Sequence, residues 1–148
     1  MGRTSGRIVP LDKLDDYEIS KGDPDPRGWD VKAANGNKVG EVDKLLVDVD
    51  AKQVRYLDVD LDDSDQHTLI PIGRARLDDD NDEVLLDSQP SKGLGALPPY
   101  DHGPVTRDYE RQVLNSWVPE TQWAGRQDQE FYNHACFDTN RFYGRRRA

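Results

Sequence analysis

The sequence predicts a small, mainly β domain, folded as an antiparallel barrel or a curled sheet. Short runs rich in Val, Leu, Ile and Tyr alternate with acidic turns such as "DDSDQ" (62–66) and "DDDND" (78–82). Five short strands of this kind fit into about sixty residues. The hydrophobic fraction is 34%, so we expect a compact core together with segments that add little to it.

The first strands are predicted around the turn "NGNKVG", where Asn35-Gly36 is a strong signal for a β-hairpin. A strand follows over 41–50, and a polar connection over 50–53 leads into the next one. Alternation divides the strand at 54–61 into an inner face with Arg55, Leu57, Val59 and Leu61 and an outer face with Val54, Tyr56, Asp58 and Asp60.

The remaining strands are predicted over 67–77 and 83–87. Pro71 lies inside the first of them, which indicates an edge position or a bulge. A short helical turn is expected to open at Pro90 and to end at Pro98 and Pro99.

The C-terminal part of the chain has a helical pattern instead. Val105, Tyr109, Val113 and Trp117 recur every four residues, which predicts a helix near 105–117 with one apolar stripe. An isolated helix of this length is marginal in water, so the stripe needs an apolar surface to cover it. We expect it to dock on the barrel of its own subunit or of a partner, and Trp123 is a further candidate contact.

The net charge of −9 is concentrated in the middle of the chain. Residues 22–90 carry eight basic and eighteen acidic groups, a net charge of −10, which would repel a phosphate backbone. We therefore expect no nucleic acid partner. The sequence has no stretch long and apolar enough to span a bilayer and no signal-peptide core, and its single cysteine, Cys136, fits a reducing compartment. These features predict a soluble, cytoplasmic protein.

Aspartates recur on the central strands, at Asp48, Asp50, Asp58 and Asp60. A calcium loop of the EF-hand type needs glycine at its sixth position and glutamate at its twelfth, and loops that start at Asp48, Asp60 or Asp78 have neither. A catalytic carboxylate pair is an alternative, but no two of these residues are singled out. We expect instead a solvent-facing acidic surface, which opposes edge-to-edge pairing and keeps a small barrel soluble.

No other motif indicates catalysis. The sequence has no serine in a nucleophile elbow, and "GLGALP" lacks the third glycine and the preceding strand of a dinucleotide site. His134 and Cys136 are too few ligands for a zinc site. We therefore expect no enzymatic activity, no cofactor and no metal site.

Two strings resemble the PRC-barrel family, "GEVDKLLVDVDAKQVRYLDVDL" (40–61) and "TLIPIGRARLDDDNDEVLL" (68–86). The family is named for the cytoplasmic domain of the H subunit of the purple-bacterial photosynthetic reaction centre. Its motifs cover about residues 28–88 here, and the likeness extends to about residues 8–117. The resemblance implies a small PRC-type β-barrel, with a short helix after the last strand, that acts as a docking and scaffolding module without a cofactor.

The charge distribution, the strand and helix patterns and the resemblance together predict a domain plan for a bacterial protein of this kind. It consists of an N-terminal extension (1–21), the barrel domain (22–103) and a partly helical C-terminal extension (104–148). The first functional reading is a non-catalytic, soluble interaction module that binds a protein partner, including a second copy of itself as a homodimer. The candidate interaction residues are Tyr109, Val113, Trp117 and Trp123.

The alternative reading is an accessory protein of a reaction-centre-type membrane complex. In that family branch, acidic residues of the barrel assist proton delivery, and Asp58 and Asp60 match their positions. Only this reading implies peripheral association with a membrane.

Overall fold

The computed structural model of the chain describes residues 8–11, 25–49, 53–62, 65–78, 80–86, 97–101 and 105–117. The elements are β1 (Ile8–Pro10), β2 (Asp30–Lys32), β3 (Lys38–Asp48), β4 (Gln53–Leu61), β5 (His67–Pro71), β6 (Ala75–Asp78), β7 (Glu83–Leu86) and α1 (Arg107–Trp117). The predicted mainly β class is confirmed. The short helical turn expected between Pro90 and Pro98 lies mostly outside the described residues.

The seven strands form one sheet in the order β5-β4-β3-β2-β7-β6, and β1 pairs beside β2 on the same edge of β3. All neighbours are antiparallel except β2 and β7, which run parallel. Within the described parts of the chain no ladder joins β5 to β6, so the sheet is barrel-like without being closed. The 3-10 turn Ile72–Arg74 connects these two end strands.

The hairpin predicted at Asn35-Gly36 joins β2 to β3. Gly36 has a φ of 90°, a conformation that glycine adopts without a steric cost. The side-chain oxygen of Asn35 accepts a hydrogen bond from the Asn37 backbone N–H at 3.0 Å. The local sequence is therefore sufficient to set this turn.

The continuous strand predicted over 67–77 is interrupted. Pro71 ends β5, and Ile72–Arg74 form the 3-10 turn before β6 begins at Ala75. Proline has no N–H for a further ladder bond, and β5 is an end strand of the sheet order, so its edge position agrees with the prediction.

The inner face of the sheet encloses the main core, here called the inner cluster. Its buried hydrophobic residues come from β2 to β7, from the 3-10 turn and from Leu11, and all are aliphatic: Leu11, Val31, Val42, Leu45, Val47, Val54, Leu57, Val59, Leu61, Ile70, Ile72, Ala75, Val84 and Leu86. The inward direction predicted for Leu57, Val59 and Leu61 is confirmed. That end strands share this cluster with central ones shows that the sheet curls around it.

One assignment along β4 was wrong. Val54 belongs to the inner cluster, whereas Arg55 forms an ion pair with Asp48 at 3.3 Å and takes no part in that cluster. The cause is a register shift between Leu46 and Val47, which leaves Arg55 as an extra residue between the pairs Leu46–Tyr56 and Val47–Val54. Such a bulge reverses the alternation of faces beyond it.

The outer face of β1, β3, β4 and β5 is covered by a second layer, here called the outer cluster. Its members come from the sheet, from the segment 97–101 and from around α1: Ile8, Leu46, Tyr56, Leu69, Tyr100, Val105, Val113 and Leu114. The helix therefore docks on the barrel of its own chain. Ile8 contributes to this layer through β1, so part of the expected N-terminal extension is a strand of the sheet.

Candidate functional site

A group of ionisable side chains lies on the outer face where β3, β4 and β5 run side by side. Asp43 is on β3, Asp58 and Asp60 are on β4, and His67 is the first residue of β5. We call these four residues the His67 cluster. Cross-strand pairing places Asp60 opposite His67 and Asp58 next to it, opposite Leu69.

A second β-bulge directs Asp43 into this cluster. The register shifts between Val42 and Lys44, so that Asp43 and Lys44 together oppose Asp58. A bulge of this type turns an extra side chain towards the face on which its neighbour lies. Asp43 is thus brought to the same side of the sheet as Asp58, while Val42 stays in the inner cluster.

The imidazole of His67 is the centre of the cluster. Its Nδ1 lies 2.8 Å from Oδ1 of Asp58 and 3.7 Å from Oδ2 of Asp43, and its Nε2 lies 4.0 Å from Oδ1 of Asp60. The side chain of Asp58 has no exposure, that of His67 is 19% exposed, and those of Asp43 and Asp60 are 42% and 56% exposed. The cluster therefore runs from a buried carboxylate through a half-buried imidazole to two carboxylates in contact with water.

The segment 97–101 covers the cluster from one side. The backbone N–H of Tyr100 donates to the carbonyl of His67 at 2.8 Å, and the carbonyl of Pro98 accepts from the hydroxyls of Thr68 and Tyr109, each at 3.1 Å. The rings of Tyr100 and Tyr109 lie 6.5 Å apart. Hydrogen bonds to the segment 97–101 thus link it to both β5 and α1.

Tyr109 reports on the electrostatics of this layer. Burial raises the pKa of its phenol well above the ordinary value, and the negative charges of Asp101 and Asp58, together with that of Tyr100 once Tyr100 is ionised, act in the same direction. The neutral phenol can donate to the Pro98 carbonyl, whereas a phenolate would have no proton to donate. The layer therefore favours the protonated form of Tyr109.

A second polar contact lies under α1. The hydroxyl of Tyr56 donates to Oε1 of Glu110 at 2.8 Å, and Nε of Arg107 lies 3.4 Å from Oε2 of the same carboxylate. Glu110 is 1% exposed and Arg107 is 7% exposed. A buried carboxylate is costly unless it is hydrogen-bonded, so this contact fixes which side of α1 faces the sheet.

The expectation of a wet acidic face is wrong for two of its four aspartates. Asp48 and Asp58 are fully buried, because β1, α1 and the segment 97–101 cover much of the outer face. Asp60 is exposed, as expected, and Asp50 lies outside the described residues.

The candidate interaction residues of the helix are engaged by the chain's own sheet to different degrees. Val113 is fully buried in the outer cluster, Tyr109 packs against that cluster, and Trp117 packs against both clusters. Trp123 is outside the described residues. Whether these residues also bind a partner stays a prediction.

Sequence reasoning missed the two residues that complete the site, His67 and Asp43, and the buried Glu110. No motif in the sequence singles out His67, which is the first residue of the end strand β5. The alternation of the central strands does place Asp43 and Asp58 on one side, but only if a bulge is assumed. Glu110 could have been found, since it falls on the stripe side of α1 between Tyr109 and Val113.

The arrangement offers two kinds of chemistry. An imidazole whose two ring nitrogens face different carboxylates can pass a proton between them; here Nδ1 is hydrogen-bonded to Asp58 at 2.8 Å, and Nε2 faces Asp60 at 4.0 Å. The imidazole nitrogen and the carboxylate oxygens of Asp43, Asp58 and His67 also lie within 4.8 Å of one another, close enough to hold one cation. Across the described ranges, no helix has the length and apolarity needed to cross a membrane.

Comparison with known proteins agrees with the fold. The profile of the PRC-barrel domain matches residues 18–92, about half of the chain. A protein of Deinococcus radiodurans, described as uncharacterized, is 27% identical over 142 residues, which cover 92% of this chain and 49% of that protein. The chain thus spans about half the length of this relative.

Proposed function

The chain belongs to the PRC-barrel family, and we propose that it is a non-catalytic interaction module, soluble and cytoplasmic, which binds a helix on the outer face of its barrel and self-associates through that face. The observation that carries the proposal is the pairing of Tyr56 with Glu110 inside an otherwise apolar cluster. It makes the outer face a receptor for one particular kind of helix.

The receptor has an apolar part and a polar part. Leu46, Leu69 and the ring of Tyr56 form an apolar surface, against which Val113 and Leu114 are fully buried. Burial of each such aliphatic side chain stabilises by about 1.5–3 kcal/mol but specifies little about which helix is bound. The hydroxyl of Tyr56 adds the specification, because a helix without an acceptor at that point would lose this buried hydrogen bond.

The helix that fits is therefore an amphipathic one with a carboxylate followed three and four residues later by aliphatic side chains. Glu110, Val113 and Leu114 have this spacing in α1. A second copy of the chain supplies an identical helix, so two copies could exchange α1 with the same contacts that one copy makes internally. This exchange is the route to the proposed homodimer.

Light scattering on the full chain tests self-association. The expected particle mass is twice the 16.8 kDa of one chain, and deletion of residues 104–148 should remove the dimer. A particle of single-chain mass at every concentration would contradict the self-association.

The exchange itself can be tested with an equal mixture of isotope-labelled and unlabelled chains. If α1 crosses between subunits, magnetisation transfer is expected between the Tyr56 ring of a labelled chain and the Val113 methyls of an unlabelled chain. If transfer occurs only within chains and never between a labelled and an unlabelled chain, any dimer forms through another surface.

A second function is favoured by one observation, the position of His67 between a buried and an exposed carboxylate. This order fits the alternative of an accessory protein that passes protons to a membrane complex, with Asp60 as the entry and Asp58 as the inner acceptor. Flotation of native membranes separates the two proposals. An interaction module of the cytoplasm should remain in the dense soluble fraction, and an accessory protein should rise with the vesicles.

A further inference from the structure

We propose that Asp43, Asp58 and His67 form a binding site for a divalent transition-metal ion of the zinc class, with Asp60 holding the imidazole from behind. The site is independent of the docking role, since it uses none of the contacts between Tyr56 and α1. It involves three neighbouring strands, β3, β4 and β5.

The distances suit a single ion. Bonds of about 2.0–2.2 Å from zinc to nitrogen and oxygen place tetrahedral ligand atoms about 3.3–3.5 Å apart. Nδ1 of His67 lies 2.8 Å from the Asp58 oxygen and 3.7 Å from the Asp43 oxygen, so the observed separations lie on both sides of this value. On binding, the Asp58 separation would lengthen by about 0.5–0.7 Å and the Asp43 separation would shorten by about 0.2–0.4 Å.

The two carboxylates have complementary roles. Asp58 is fully buried, and its hydrogen bond with His67 holds both groups in place. Asp43 is 42% exposed and is turned towards them by the bulge at Val42 and Lys44, so it can close over an ion that enters from solvent. Three protein ligands would leave one position of a tetrahedral ion open to water.

The other side of the imidazole provides the independent support. A histidine that binds a metal through one ring nitrogen usually donates the N–H of its other nitrogen to a carboxylate or carbonyl. Nε2 of His67 faces Oδ1 of Asp60 at 4.0 Å, about 1 Å longer than a hydrogen bond. With an ion on Nδ1, the ring proton would reside on Nε2 and point to Asp60. His67 thus has the two proposed carboxylate ligands beside Nδ1 and a carboxylate that can orient the ring beside Nε2.

The donor set also selects the class of ion. One imidazole nitrogen with two carboxylate oxygens suits zinc and its neighbours, whereas calcium prefers six to eight oxygen ligands and magnesium an octahedron of oxygens. The prediction that the chain has no dedicated calcium site is compatible with this proposal.

The experiment uses the full chain, stripped with a chelator and titrated with Zn²⁺ near neutral pH, with calorimetry as the readout. The critical variant is Asp43→Asn, because this exposed side chain can be changed without loss of the fold. The expected result is one ion bound per wild-type chain and an affinity at least about tenfold weaker for the variant. Glu41→Gln is the matched control, since it removes an equal charge from an exposed position on the same strand and should change the affinity little.

Imidazole nitrogen NMR assigns the ligand, because the chain has three histidines, His67, His102 and His134. The expected result is a Zn²⁺-dependent shift of the His67 nitrogens that is lost in Asp43→Asn. The proposal is overturned if the wild-type chain binds no ion, if Asp43→Asn and Glu41→Gln bind equally well, or if the signals of His102 or His134 shift and those of His67 do not.

Discussion

On the inner face of the sheet the buried side chains are aliphatic apart from Thr68, the register partner of Val59, whereas the outer face also buries the charged residues Asp48, Asp58 and Glu110. The inner cluster is held together by non-directional burial, which tolerates many combinations of side chains of the right volume. The outer cluster depends on hydrogen bonds with one geometry each, such as that from Tyr56 to Glu110 at 2.8 Å. The inner face therefore contributes mainly stability, and in the proposed function the outer face determines which helix can dock on it.

The same comparison explains where the candidate sites lie. A charged group inside the inner cluster would have no partner, so chemistry can collect only on the outer face. There, the covering layer lowers solvent access, which strengthens the electrostatic interactions of Asp58 and His67. The mutations that follow separate the two faces, beginning with the change expected to have the largest effect.

Val59→Asp tests the inner face. Val59 is fully buried among aliphatic residues, so the substitution removes apolar burial and introduces a carboxylate without a partner. We expect no folded state at neutral pH, measured as the loss of the cooperative transition in circular dichroism. A transition that survives with a melting temperature close to wild type would mean that the assignment of faces along β4 is reversed.

Leu114→Ala tests how firmly the covering helix is packed. Leu114 is fully buried in the outer cluster, and truncation of such a residue costs about 2–5 kcal/mol. Urea unfolding gives the free energy, with Asn115→Ala as the control at the next, exposed helix position, where a change within about 0.5 kcal/mol is expected. Equal effects of the two substitutions would show that α1 does not pack on the sheet in solution.

Asp58→Ala and Asp60→Ala separate the buried from the exposed aspartate on one strand. Removal of Asp58 leaves the Nδ1 side of His67 without its closest acceptor, a loss of about 1–3 kcal/mol. Removal of the exposed Asp60 should change the free energy of unfolding by no more than about 0.5 kcal/mol. If the two substitutions changed the free energy of unfolding equally little, Asp58 would be exposed to solvent in solution.

The inner face could be predicted from the sequence, and the outer face could not, for a physical reason. The alternation of Leu57, Val59 and Leu61 is local, so a period of two residues suffices to find the core. The burial of Asp58 depends on Tyr109 and the segment 97–101, which are some forty to fifty residues away in the chain. Alternation correctly placed Asp58 on the outer face, but it carries no information on what covers that face.

The bulges were a second obstacle. Each shifts the alternation by one residue, at Asp43 on β3 and at Arg55 on β4, and neither position has a glycine or proline to announce it. The consequence was opposite at the two positions. The bulge at Arg55 made the prediction for Val54 wrong, and the bulge at Asp43 created the candidate metal site.

The smallest expected effect concerns Tyr109, which joins the two parts of the covering layer. Burial raises its pKa in the folded chain, so the folded state retains the phenol proton above the pH at which the unfolded chain loses it. The unfolded state then binds fewer protons than the folded state, and the free energy of unfolding must fall as the pH rises above about 10. The stabilisation is therefore complete below the unfolded pKa and is lost through alkaline pH.

Urea unfolding of wild type and Tyr109→Phe between about pH 8 and pH 11.5 measures this term. The other five tyrosines are present in both chains, so the contributions that do not depend on Tyr109 cancel in the difference. Tyr109→Phe loses the hydrogen bond to the Pro98 carbonyl at every pH, which shifts its curve without changing the slope. For one proton the wild-type slope should be steeper by at most about 1.4 kcal/mol per pH unit, and by less where solvent reaches the ring. Parallel curves would mean that the phenol of Tyr109 is as accessible as in the unfolded chain, and the layer over Asp58 would then be open.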